Sequence, residues 1–403
     1  MKQAHGNWVT GDTFWDRKIE LDVFIEKVKD GANILLLAPR RMGKTSLMHE
    51  ASKRLSGQCL CIFVDLQKAE TSADVLMELG RVIYPYKNLR QKWASAASGV
   101  LKTCLNAVEE VGVYDFGFKL RGGLTEGNWD IEADKLLDVL ASAEKPVVIF
   151  MDEVPIMVNR ILKGGGDALI PGGREKADKF MSWLRGNTLR LKGKVCFVVS
   201  GSIGFSPVLN QAGLSATLNT FEPFQLKPWG KDTAAECLQA LAEEYGISLS
   251  SKVVDEMLGR LGCLVPHHVQ MFFSHLHDHC RRSAISIPEI TDVVSVYESG
   301  MLGARGYTEL VHYEERLGMV LGGNLLPATI SILAAAASKR VLKNDEIPIL
   351  LAEYGFSGQA AKEAQKKIFQ VLEHDGYLEK RASGYSFVSK LVKDWWKKRH
   401  NFY

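Results

Sequence analysis

Residues 33–45 read Asn-Ile-Leu-Leu-Leu-Ala-Pro-Arg-Arg-Met-Gly-Lys-Thr. The apolar run is short and stops at a proline, a length that favours a buried strand over a helix. A basic turn follows, then KTSLMHEASKRL, in which Leu47, Met48, Ala51 and Leu55 fall on one helical face. The order is therefore strand, loop, helix. Residues 38–45 match the phosphate-loop pattern GxxxxGK[ST], with Ala38 in place of the first glycine. Such a loop points backbone N–H groups at phosphate oxygens and opens onto a helix N-terminus. Gly43 permits close backbone approach, Lys44 reaches the β- and γ-phosphates, and the Thr45 hydroxyl is a ligand for Mg²⁺. Pro39, Arg40, Arg41, Met42 and Ser46 complete the expected nucleotide-contacting loop. A chance Gly-Lys-Thr in a surface turn is the plain alternative, and its place between a strand and an amphipathic helix argues against that.

Three further runs read as buried strands: CLCIFVDL (59–66), PVVIFMD (146–152) and KVCFVVSGS (194–202). FQLK (224–227) is a fifth candidate. Amphipathic helices lie between them, with Ala133, Leu136, Leu137 and Leu140 on one face and Ala177, Phe180, Met181 and Leu184 on another. This alternation predicts an α/β domain, a parallel sheet with helices on both faces. The 146–152 strand ends in Asp152-Glu153. A carboxylate at the carboxyl end of a buried strand can hold Mg²⁺ through water, and a neighbouring glutamate can activate the attacking water. Asp152 is thus the expected metal residue and Glu153 the expected base. Ser200 and, as second choice, Ser202 end the next strand, where a polar side chain senses the γ-phosphate or holds the water.

The 403 residues are 46% apolar and 24% charged, which excludes a disordered chain, a collagen-like fibre and a coiled coil. No uninterrupted apolar run reaches the ~18 residues of a membrane span, and the N-terminus lacks a signal-peptide core. The net charge of +3 is too mild to imply nucleic acid by itself. Seven cysteines without a CxxC read as free thiols of a reducing cytoplasm. The expected organisation is a core over 1–228 with an insertion at 84–130, containing a β-like YDFGFKLR, then a helical lid over 229–300 and a linker over 301–324. Three helices and a hairpin around Ala382-Ser383-Gly384 then predict a winged helix-turn-helix over 325–403.

ILLLAPRRMGKTSL, VVIFMDEVP and VCFVVSGSIGF, in that order, resemble the AAA+/STAND class of P-loop ATPases, in the prokaryotic branch near origin-recognition-type initiators. WVTGDTFWDRKIEL resembles that branch's opening box, which implies that Arg17, Glu20 and Leu21 lie beside an adenine. The resemblance implies ATP and Mg²⁺ as ligands, and Pro266 in LGCLVPHHVQ resembles the lid proline that packs near the nucleotide. That stretch carries His267 and His268 where the family often has an arginine on the γ-phosphate. Arg185 and Arg190 are the candidates for an arginine acting on a neighbouring copy.

Other readings are weaker. His275, His279 and Cys280 have a spacing that zinc sites use, although a solvated helix face explains them as well. No Asn-Lys-x-Asp string supports guanine, and a small-molecule kinase would not explain the lid and the winged helix. From Lys339 to Tyr403 there are 13 basic and 8 acidic residues, an excess of five. Lys362, Lys366 and Lys367 mark a recognition helix, and Lys393, Lys397, Lys398 and Arg399 surround Trp395-Trp396. The expected function is a cytoplasmic ATPase that couples nucleotide state to double-stranded DNA or a protein partner, with homo-oligomer formation. The alternative is a nucleotide-gated assembly switch with little turnover.

Overall fold

The computed structural model describes residues 8–106, 124–125 and 127–400. They form two compact units: Lys18–Leu37 with Leu47–Gln225, and the described parts of Met1–Arg17, Ala38–Ser46 and Leu226–Tyr403.

The first unit contains α1 (Lys18–Lys29), β1 (Ile34–Leu37), most of α2 (Lys44–Leu55), β2 (Leu60–Asp65), α3 (Ser72–Ile83), α4 (Lys87–Ala96) and α5 (Gly99–Asn106). It continues with α6 (Trp129–Ala141), β3 (Val147–Asp152), α7 (Val154–Lys163), α8 (Gly173–Arg190), β4 (Val195–Ser200), α9 (Phe205–Asn210) and β5 (Glu222–Gln225). The strands pair in parallel in the order β2-β3-β4-β1-β5. β4 is buried throughout and β3 along nearly its whole length, so both accept continuous apolar runs. β5 carries Pro223 and lies at the sheet edge, where a missing backbone donor is tolerated. Every apolar face read from the sequence is buried: Leu47, Met48, Ala51 and Leu55 of α2, Ala133, Leu136, Leu137 and Leu140 of α6, and Ala177, Phe180, Met181 and Leu184 of α8. The strand expected within 114–121 lies outside the described residues.

The second unit holds α10 (Lys231–Glu244), α11 (Ser251–Leu261), α12 (Pro266–Ser283), α13 (Ile290–Val296) and a π-helical turn (Tyr297–Met301). Next come α14 (Ala304–Leu310), α15 (His312–Ser338), β6 (Leu342–Lys343), α16 (Ile347–Ala352), α17 (Gly358–His374), β7 (Leu378–Arg381), β8 (Gly384–Phe387) and α18 (Lys390–Arg399). The three short strands pair in the order β6-β8-β7, antiparallel.

Most of 301–324, expected as a linker, is helical. Its glycines serve close packing: a Cβ on Gly303 or Gly306 would overlap the carbonyl of Ser299 or Met301. Gly322 (φ 74°, ψ 170°) interrupts α15. By length and composition alone, Ala304–Ser338 could cross a membrane, but 44% of its most apolar window is buried inside the fold. Six described cysteines, residues 59, 61, 196, 237, 263 and 280, are free thiols.

Candidate active site

At the carboxyl edge of the first unit's sheet, β3 ends in Asp152 and the chain turns directly into α7. Glu153 makes that turn in the left-handed region (φ 59°), and Pro155 follows within the first turn of α7. The Glu153 N–H donates to Asp152 Oδ1 at 3.0 Å, and the Ser200 hydroxyl donates to the same oxygen. Two residues on, Ser202 donates both its N–H (2.9 Å) and its hydroxyl (2.7 Å) to Glu153 Oε2. Each carboxylate at the end of β3 therefore has its own serine at the end of β4. Gly201 lies between the serines because a Cβ there would come within 2.6 Å of Pro155 Cγ. Beneath this edge His49 stacks on Phe63 (4.1 Å between centroids), and Phe63 on Phe150 (4.5 Å). Burial pushes the His49 imidazole down in pKa, and the Asp152 charge opposes that shift.

The expected phosphate loop, residues 38–46, is organised within the second unit. Gly43 has φ 89° and Arg41 φ 68°, so the loop turns through left-handed backbone twice. Lys44 begins α2, is buried, and donates to the carbonyls of Ala38 (2.7 Å) and Pro39 (2.9 Å), drawing the loop around its own ammonium. Ser46 Oγ accepts from the Val9 N–H at 3.1 Å. Arg17 is buried and donates to the carbonyls of Met42 (3.1 Å) and Lys227 (3.0 Å). These bonds place the Arg17 guanidinium as a prop for the loop backbone, a role that the opening-box resemblance did not suggest.

Pro266 opens α12 at its first position, and His267 and His268 follow it. Glu309 Oε2 lies 3.0 Å from His267 Nε2 and 3.3 Å from Arg41 Nη2, joining α12, α14 and the loop through one oxygen. His268 is fully buried. Burial first, then the charges of His267 and Arg41, pushes it down to about 3. Burial, together with Arg40 and Arg41, pushes His312 down to about 2. A Cβ on Gly376, just before β7, would lie 3.1 Å from Pro39 Cγ.

The loop of the second unit suits an anionic phosphate chain. The first turn of α2 carries no acidic residue to compete for its N–H groups. Arg40, Arg41 and Lys44 supply positive charge there; the Thr45 hydroxyl, in the same unit, and the Asp152 carboxylate, in the other unit, are each an oxygen donor of a kind that Mg²⁺ takes.

No protein-family model matches the chain, nor does any curated protein. Solved structures do. A Walker-type ATPase of Pyrococcus abyssi superposes with a TM-score of 0.61 at 15% identity, covering 98% of this chain and 99% of that one. The ORC2 protein of Aeropyrum pernix, solved in ADPNP–ADP complexes, gives 0.52 at 10% identity over 97% and 98%. The chain therefore shares the fold of these two proteins over nearly its whole length. Within this fold the sheet edge brings together Asp152, Glu153, Ser200 and Ser202, while Arg17, residues 39–46 and Pro266 belong to the other unit.

Several site features had no sequence signal. The pairing of Ser202 with Glu153 and of Glu309 with Arg41 joins residues 49 and 268 positions apart. Of the lid residues considered for zinc, His279 bonds Asp292 at 2.9 Å, and among the described residues no group of three or more His, Cys, Asp or Glu is placed to hold a metal. Arg190 is tied to Asn187 and Asp138, whereas Arg185 is exposed. Trp395 and Trp396 are buried, so they dock the tail and leave no aromatic face for a duplex. Lys362, Lys366 and Lys367 stand exposed on α17, opposite buried Ala361, Ala364 and Ile368.

Proposed function

We propose that this chain is a Mg²⁺-dependent ATPase whose nucleotide state controls a C-terminal winged helix that contacts DNA or a protein. The observation that carries this reading is the pair of carboxylates where β3 ends, bonded to Ser200 at the end of β4 and to Ser202 just beyond it, in a chain that also holds Lys44 within a phosphate loop. Lys44 would exchange its two carbonyl bonds for phosphate oxygens, with Arg40, Arg41 and the N–H groups of residues 42–46 completing the cradle. Thr45 and Asp152 would hold Mg²⁺, which when bound polarises the phosphoryl oxygens. Ser200 orients Asp152 for that task, and Glu153 takes a proton from the attacking water. Isothermal titration with ATP and Mg²⁺ tests the reading: the wild type should bind saturably and Lys44→Ala should not. Glu153→Gln should bind and lose phosphate release. A wild type that gives no saturable binding overturns the proposal.

A second reading, a switch with little turnover, is favoured by the Glu309 bridge to Arg41 and by the absence of arginine from residues 261–270. Turnover measured beside molar mass, with and without ATP, separates the two. Rapid turnover at constant mass disfavours the switch. The partner is tested by salt-dependent duplex binding, in which Lys366→Glu/Lys367→Glu should weaken affinity and flatten the salt slope. Equal binding by both forms points to a protein partner.

A further inference from the structure

We propose a second ligand site in the first unit, a pocket between α3, α7 and α8 that takes a small organic anion: a carboxylate carried on an apolar body. The pocket is a cavity of about 300 Å³, at the lower end of the ~300–1,000 Å³ of small-molecule sites. All its walls belong to the first unit. Its wall residue Ile161 lies more than two helical turns along α7 from Glu153, roughly 12 Å at ~1.5 Å per residue, so the pocket is separate from the carboxylates where β3 ends.

The lining fixes the chemistry of the ligand. Arg160 is half-buried, and its Nη1 donates to the carbonyls of Gln67 and Ala69. Those bonds set the plane of the guanidinium. Among the described residues no carboxylate pairs with it, so its Nε and Nη2 edge is left for a bidentate anion. Ser72, the first residue of α3, is 3% exposed, and among the described residues its hydroxyl has no hydrogen-bond partner. It lines the pocket at the helix end where N–H groups lack intrahelical acceptors and favour negative charge. The nearby Asp74 carboxylate is engaged by the N–H groups of Glu70 and Thr71. Arg160 and Lys176 against Glu70 leave the lining one positive charge in excess, which suits a monoanion better than a phosphate dianion. Ile161 and Ile170 form the apolar wall. Ile170 is held in place by its N–H bond to the Leu162 carbonyl at 2.9 Å, which ties the loop after α7 back onto that helix.

Benzoate is the probe, titrated by saturation-transfer NMR against the full chain, with benzamide as its neutral match in shape. The wild type should bind benzoate with a roughly millimolar Kd, as befits so small a ligand, and benzamide at least about tenfold more weakly. Ser72→Ala and Arg160→Lys should each weaken benzoate about tenfold, the loss of one bond to a charged group, with thermal melts confirming folding. Lys176→Ala changes an exposed side chain and keeps the test open if Arg160→Lys melts early; it should weaken benzoate by about threefold. Lys44→Ala should bind benzoate as the wild type does, because the phosphate loop is not the site. Loss of benzoate binding in Lys44→Ala, equal binding of benzoate and benzamide, or affinities unchanged in the three pocket variants would each overturn the proposal. So would a wild type that does not bind benzoate saturably.

Discussion

His268 lies in the interior of its unit with neither ring nitrogen hydrogen-bonded, and His312 Nε2 is likewise without a partner. Both imidazoles are held neutral, pushed by burial to about 3 and about 2 from an ordinary value of 6.5. Arg40, Arg41 and Arg316 around them add to the cost of a proton, and Glu309 offsets part of it for His268. The sign follows from linkage. A histidine whose folded pKa is depressed contributes full stability above 6.5 and loses it as the pH falls, because only the unfolded chain takes up the proton. Each should cost about 2 kcal/mol between pH 7 and pH 5, at ~1.4 kcal/mol per pH unit below its ordinary value. Urea unfolding of the second unit at pH 5, 6 and 7 should show the midpoint falling with acid. His268→Leu should fall less, and an unchanged slope in that variant would reject the assignment. The adjacent histidines were visible in the sequence as the place where an arginine is missing. The burial of His268 was not visible, because the groups that bear on it, among them Arg41, Glu309 and Tyr313, lie far from it along the chain.

Among elements, the strands were the most legible. A run such as VCFVVS can satisfy its side chains only in a sheet covered on both faces, and β4 is buried along its whole length. Glycine was the least legible residue, since the same Gly-rich text at 301–324 marks close helix packing where a linker was expected. Gly201 makes the point at the site. Its φ is ordinary, so nothing in turn chemistry demands glycine there. The demand comes from Pro155 of α7, whose ring fills the space a Cβ would need. Gly201→Ala must displace either the end of β4 or the first turn of α7, and Glu153 sits two residues before that proline. Overpacking of this kind costs ~1–3 kcal/mol. The variant should therefore melt lower and lose turnover out of proportion to its loss of ATP binding. Kinetics normal in both respects would show that the edge tolerates the shift.

At the scale of the molecule, residues read from sequence as lid, linker and terminal module fall within one compact unit. The reason lies in contacts between α11, the π-helical turn and α18. The Tyr297 hydroxyl donates to Asp394 (2.9 Å) and approaches the Arg260 carbonyl (3.2 Å), while Ser389 Oγ donates to the Leu261 carbonyl at 3.3 Å. Gly262, at φ 70°, lies so close to α18 that a Cβ would come 2.9 Å from the Lys390 nitrogen. Tyr297 is itself buried, with Arg260 and Lys390 against its ring, and burial pushes its phenol well above the ordinary range. Residues 97 positions apart leave no local trace of such a bond in the sequence. Removing the Tyr297 hydroxyl leaves the Asp394 carboxylate with its Lys390 bond, at a cost of ~1.5–3 kcal/mol for a bond to a charged group. If lid and terminal module unfold together, Tyr297→Phe should lower hydrogen-exchange protection by a similar factor in α11 and in α18. Loss confined to α18 would mean that the terminal module opens alone, and a nucleotide signal would then have to reach it by another route than this contact.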